Sequence, residues 1–198
     1  MARPMYHEHS RALQDRFDSR RLADALAERL LRVRFTQEDR DFIARQRLFF
    51  LATADAQGRP DCSHKGGAPG FVRVIEDDVL AFPSYDGNGM FKSLGNVAAN
   101  PAVGLLFIDF EKPRRLRVNG VAALHLEDPL LLEYPGAQAI VRVRAQQIFP
   151  NCPRYVPTMQ VVAESPFVPA AGCNPPVPAW KKRPEFNAVL PAGDPARG

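Results

Sequence analysis

The segment at residues 85–110, YDGNGMFKSLGNVAANPAVGLLFIDF, opens as a glycine-rich polar loop and ends as an almost unbroken apolar run. Asn88, Lys92 and Ser93 stand just ahead of that run. Together they supply amide, ammonium and hydroxyl donors, the set that an anion site requires. Gly87 and Gly89 let the backbone approach a ligand closely, and a helix opening near Lys92 would present free N–H groups. A plain glycine-rich turn carrying a solvated lysine would use the same residues, and on this stretch alone the two readings weigh equally.

Two further clusters could take part. Ser63-His64-Lys65-Gly66-Gly67 offers a hydroxyl, an ammonium and two permissive glycines, or else it is a hairpin strand running into a loop. In RRLRVNG (114–120), Arg115, Arg117 and Asn119 share one strand face while Leu116 and Val118 share the other. That polar face is either solvated or lines a ligand groove. Motifs for protein-borne covalent chemistry are absent: there is no G-x-S-x-G, no C-x-x-C, no Walker lysine and no G-x-G-x-x-G after a strand. The four histidines never fall at metalloprotease spacing, so no catalytic or metal-ligating residue is assigned, and His64 reads as a loop histidine. If the chain is an enzyme, a cofactor carries its hard chemistry.

These clusters must be positioned by a largely β chain. LFFLATA (48–54), turn DAQG and RPDCSHK read as one hairpin, and FVRVI (71–75) with VLAFP (79–83) as a second. MFKSLGNVAA (90–99) predicts a short helix stopped by Asn100-Pro101. AVGLLFI (102–108), RRLRVNGVAAL (114–124) and QAIVRVRAQQIF (138–149) predict three more strands, the last alternating Ile140, Arg142 and Arg144 with Val141, Val143 and Ala145. Ahead of them, Leu22, Leu26 and Leu30 put an apolar stripe on a helix within residues 10–34, and Thr36 with Asp39 forms a capping box for a helix through about Gln46. Beyond Pro150 the chain is proline-rich and predicts an irregular tail.

Composition sets the outer limits. The 198 residues, 45% hydrophobic and 24% charged, suffice for one domain with its own core. A net charge of +4 suits a small anionic ligand, and the scattered basic residues do not predict nucleic-acid binding. The longest apolar run is strand-sized, so no membrane span is expected. The N-terminus lacks the apolar core of a signal peptide, and three widely spaced cysteines suit reduced thiols, so a cytoplasmic location is expected.

Three segments in order, FFLATADAQGRPDCSHKGGAPGFVRV (49–74), GNGMFKSLGNVAANPAVGLLFIDF (87–110) and RRLRVNG (114–120), resemble the pyridoxamine 5'-phosphate oxidase-like FMN-binding split-barrel proteins. The likeness covers roughly residues 36–160 and is nearest to the branch called pyridoxamine 5'-phosphate oxidase-related. It implies a mainly β (α+β) fold, a split β-barrel with short helices. An N-terminal helical extension (1–35) would precede it, and a C-terminal tail (161–198) would pack on the barrel or on a dimer partner. It also implies FMN as cofactor, a homodimer with the flavin at the subunit interface, a small-molecule substrate and an oxidoreductase activity. Some related split barrels bind haem instead, and the alternatives are a non-enzymatic flavin- or haem-binding or sensing protein and a deazaflavin-dependent reductase.

Carried over by position, the resemblance assigns flavin contacts to the segment 61–66, with Ser63, His64, Lys65 and Gly66, and to Phe82, Pro83 and Ser84. Lys92 and Ser93, beside Asn88, take the place of the basic pair that holds the phosphate, and Arg115, with Arg117 on the same strand, takes that of a glutamine beside the flavin. Two departures stand out. The tail AWKKRPEFNAVLPAGDPARG lacks the arginine–histidine pair that holds a vitamin B6 phosphate, and one lysine with a serine replaces arginine with lysine at the cofactor phosphate. FPNCPRYVP (149–157) is a further mark of the branch.

Overall fold

The structure, a computed structural model, describes residues 4–173 and 175–197. The chain divides into two compact units, Met1–Val162 and Ala163–Gly198.

In the first unit, helices α1 (Glu8–Arg16) and α2 (Arg20–Leu30) replace the single helical stretch expected over 10–34. The break falls at Asp18, whose φ of +49° is left-handed, and Ser19 N–H closes the end of α1 on the Gln14 carbonyl at 2.8 Å. Aspartate tolerates that conformation better than most residues, so Asp18 ends the helix where a glycine usually would. Helix α3 (Gln37–Ala44) carries the expected capping box between Thr36 and Asp39. Asp39, 1% exposed, also receives both bonds of the Arg32 guanidinium at 2.8 and 2.9 Å. Arg32 in turn exchanges two backbone bonds with Ile148, fastening the lead-in segment to the barrel.

Seven antiparallel strands follow: β1 (Leu48–Ala54), β2 (Pro60–Gly66), β3 (Arg73–Val74), β4 (Val79–Tyr85), β5 (Ala102–Asp109), β6 (Arg114–His125) and β7 (Ala137–Asn151), with helix α4 (Lys92–Ala99) between β4 and β5. Their order in the sheet is β2-β1-β5-β6-β7-β4-β3. β1 and β4 are separated by three strands in that order, yet the Phe49 and Phe82 rings meet edge to face at 4.9 Å. A flat sheet cannot make that contact. The sheet is rolled into a split β-barrel around Phe49, Leu51, Phe82, Leu105, Phe107, Leu116, Val141, Val143 and Ile148, all essentially solvent-free. The expected alternation in β7 holds: Val141, Val143 and Ala145 enter this core, while Arg144 is exposed.

Two glycines have steric reasons. β6 and β7 shift register between Asn119 and Gly120, and a Cβ on Gly120 would stand 2.2 Å from the Arg144 carbonyl oxygen. At Gly67 a Cβ would stand 2.5 Å from Phe71, so the loop after β2 closes against that ring only without a side chain. Outside the barrel, a 3₁₀ turn at Pro129–Glu133 covers a satellite cluster of Ala81, Tyr134 and Ile140. Arg142 clamps this cover through two bonds to Asp128, at 2.7 and 3.0 Å.

The second unit folds around a different device. Lys181 and Asp194, both nearly solvent-free, pair at 2.7 Å, and Asn187 on α5 (Pro184–Asn187) donates to the Lys181 and Ala196 carbonyls. Among the described residues, no helix is long and apolar enough to cross a membrane.

Candidate functional site

Strand β2 is an edge strand, and its alternation decides what it offers. Asp61, Ser63 and Lys65 are half-buried on one face, while Cys62 and His64 are exposed on the other. The half-buried face meets the start of α4. Ser63 and Ser93 hydroxyls are 2.9 Å apart, Ser93 donates to Asp61 at 3.5 Å, and Lys92 Nζ lies 3.5 Å from Asp61 Oδ1. Two elements whose bonded serines are 30 residues apart in sequence thus place two lysines, two hydroxyls and one carboxylate together. Burial pulls the Lys65 ammonium below its usual range, and the Asp61 charge works against that shift.

The α4 N-terminus is open. Phe91, its N-cap, is left-handed at φ +47° and gives no side-chain cap, so no N-cap side chain takes up the first N–H groups of the helix beside Lys92 and Ser93. Ser93 is 6% exposed, whereas the Lys92 side chain is 62% exposed. Asn88 is exposed in the loop before them, its side chain accepting from Met90 N–H at 3.1 Å. The donor set fits a phosphate, apart from Asp61.

Beside this cluster a cavity of about 240 Å³ runs between β2 and β4, lined by His64, Lys65, Gly66, Phe71, Phe82, Pro83, Ser84 and Tyr85 among others. The structure therefore brings Ser63, Lys65, Gly66, Pro83, Ser84, Lys92 and Ser93 to one region. Phe82 is 1% exposed and mainly core, and His64, which borders the cavity beside Lys65, has its ring edge-on to Phe50. Tyr85 was not foreseen, although it follows Ser84 directly. Burial raises its phenol above the usual range, and likewise pushes Tyr134 up to about 12. Asp61 opens the segment 61–66 to which the resemblance assigns flavin contacts, and the period-two pattern puts it on the face of Ser63 and Lys65.

Arg115 and Arg117 do not join this region within one chain. They lie on β6, separated from β2 by β1 and β5 and from β4 by β7. Arg115 Nη2 donates to the Cys152 carbonyl, and Arg117 is exposed. This contact ties β6 to the FPNCPRYVP segment, where a backbone bond from Arg154 together with the Arg154 and Arg115 charges lowers the Cys152 thiol. A second cavity, about 470 Å³, has a floor of Ala52, Ala102, Gly104 and Gly120. Its polar rim holds Asn119 bonded to Gln147 at 3.2 Å, and Thr53 bonded to Asn96 at 3.0 Å.

A family model described as pyridoxamine 5'-phosphate oxidase matches residues 35–163. The chain belongs to that family. The match spans all seven strands and both halves of the lysine–serine cluster. No curated protein matches the chain in sequence. Among solved structures, HupZ of Group A Streptococcus is 22% identical, with a TM-score of 0.48 over 64% of this chain and 99% of its own. An FMN-binding protein from Syntrophomonas wolfei is 15% identical, with a TM-score of 0.45 over 71% of this chain and 97% of its own. HutZ, the heme storage protein of Vibrio cholerae, is 21% identical, with a TM-score of 0.43 over 59% and 94% respectively.

Proposed function

We propose that this chain binds FMN and works as a flavin-dependent oxidoreductase of the pyridoxamine 5'-phosphate oxidase-related type, acting on a small molecule. The observation that carries the reading is the convergence of Ser63, Lys65, Lys92 and Ser93 at the open N-terminus of α4, in a chain of this family. Backbone N–H groups, hydroxyls and ammonium groups are what a phosphate monoester needs. The chain carries no dinucleotide fingerprint, which favours FMN over FAD. The flavin, when bound, supplies the hydride or electron transfer. The residues that would hold it are Lys92 and Ser93 at α4 for the phosphate, with Ser63, Lys65 and Ser84 as further polar partners, and Phe71, Pro83 and Tyr85 would help exclude water from the cavity.

A cavity of 240 Å³ is smaller than the usual ligand pocket of about 300–1,000 Å³, so one chain leaves the ring system uncovered. In this reading a second copy covers it. The β6 arginines, which do not line the cavity of their own chain, complete the site of the other. The absorption spectrum of protein purified without added cofactor, with mass analysis of whatever denaturation releases, tests the proposal. A flavin spectrum and released FMN are expected, and NAD(P)H oxidation by the yellow protein reports turnover. Colourless protein that leaves added FMN fluorescence unquenched overturns it, and a haem spectrum replaces it with the haem-binding alternative.

A further inference from the structure

The lysine–serine cluster contains a residue of the wrong charge for its proposed ligand. Asp61 Oδ1 is 3.5 Å from Lys92 Nζ, and Asp61 Oδ2 accepts from Ser93 at 3.5 Å. Its side chain is only 18% exposed, so solvent screens it poorly. The register of β1 and β2 pairs Asp61 with Thr53, which holds the carboxylate on the inner face beside Ser63 and Lys65. Two lysines and one aspartate leave the cluster with a single net positive charge against a dianion.

We propose that Asp61 is the specificity-determining residue of this pocket: an internal anion that occupies the place of a ligand phosphate on Lys92 and Ser93 and must be displaced when a phosphate binds. The proposal rests on the reading of the cluster as a phosphate site. Its physical content is a competition. Lys92 cannot give its full charge to both carboxylate and phosphate, and a like charge within about 4 Å of the phosphate is strongly repulsive at the dielectric of a protein surface. The carboxylate therefore lowers affinity for phosphate monoesters without touching affinity for the same ligand lacking the phosphate. It narrows the gap between FMN and riboflavin, and holds Lys92 and Ser93 together when no ligand is present.

Asp61→Asn keeps the shape and the Ser93 hydrogen bond while removing the charge, and Asp61→Ser serves as a second variant should the first not fold. Dissociation constants for FMN and riboflavin, by fluorescence quenching, and for inorganic phosphate, by phosphorus NMR titration, are measured for the wild type and the variant. The expected result is FMN and inorganic phosphate each bound at least tenfold tighter by the variant, with riboflavin unchanged. FMN that is bound by the wild type and bound equally or more weakly by the variant overturns the role of Asp61 while leaving the FMN reading standing. Tighter inorganic phosphate in a variant that binds no flavin supports Asp61 as the pocket's charge gate and sinks the FMN reading alone. Phosphate and flavin both indifferent to the substitution overturns the proposal.

Discussion

Lys92 shows how little of a site one residue type declares by itself. A lysine after a glycine-rich loop is ordinarily solvated, and Lys92 is indeed mostly exposed. What distinguishes it is company: the buried Ser93 next to it in sequence, Ser63 bonded to Ser93, and the uncapped start of α4 alongside. A charge-assisted bond to a phosphate at a helix N-terminus gains from the peptide dipoles as well as from the ammonium. Truncating one such partner costs about 1.5–3 kcal/mol, or roughly one to two decades of affinity. Lys92→Ala is therefore expected to weaken FMN by that factor in a fluorescence titration and to leave riboflavin unaffected. The fold should survive, because the Lys92 side chain is mostly exposed and no core packing is lost with it. Equal FMN affinity in wild type and variant would move the phosphate toward Lys65.

At the scale of elements, the 3₁₀ turn at Pro129–Glu133 depends on a clamp whose strength varies with pH. The Arg142 guanidinium, helped by the Leu130 N–H, holds the Asp128 carboxyl at about 2, below its ordinary 3.8. The folded-state value is depressed, so the stabilisation is complete above the unfolded value near 3.8 and is lost as pH falls through about 2. Acid unfolding curves should show a loss of stability between those values, and Asp128→Asn should flatten that part of the curve while lowering stability at neutral pH. The same turn marks a limit of sequence reading. Leu130, Leu131 and Leu132 form an apolar triple with neither helical nor strand period, so nothing local says that it caps a sheet face. The strands were legible because burial on one side imposes period two, as in Leu116 and Val118 against Arg115 and Arg117. The expected strand at 71–75 shortens to Arg73–Val74 because Phe71 and Val72 leave the ladder to enter the core. Ser63 and Lys65 were legible as a face of β2. Their meeting with Ser93 was not, because it follows from how the sheet rolls.

The whole molecule carries an apolar surface that a single chain leaves bare. Leu13 and Phe17 on and after α1 are 59% and 73% exposed, and Leu22 and Leu26 on α2 are 62% and 44% exposed. Each pair is spaced four apart, so its members lie near one another on the helix surface. Contiguous exposed apolar surface marks association sites in soluble proteins. These helices join the barrel through Arg32 and Ile148, so a copy gripped by them would lie against the β7 side of the fold. A stable dimer buries about 1,600 Å² in total, more than one helix pair provides, and the uncovered flavin region of the proposed site would supply the rest. Sedimentation of the FMN-loaded protein at micromolar concentration is accordingly expected to show a dimer. Leu22→Asp with Leu26→Asp should shift it toward monomer and weaken FMN together, since charges placed in a desolvated contact without partners are costly. Both side chains are largely exposed in the isolated chain, so the double variant should keep its folded far-ultraviolet signature. A wild type that sediments as a flavin-loaded monomer would end the shared-site proposal, and a double variant that stays dimeric would place the interface elsewhere on the barrel.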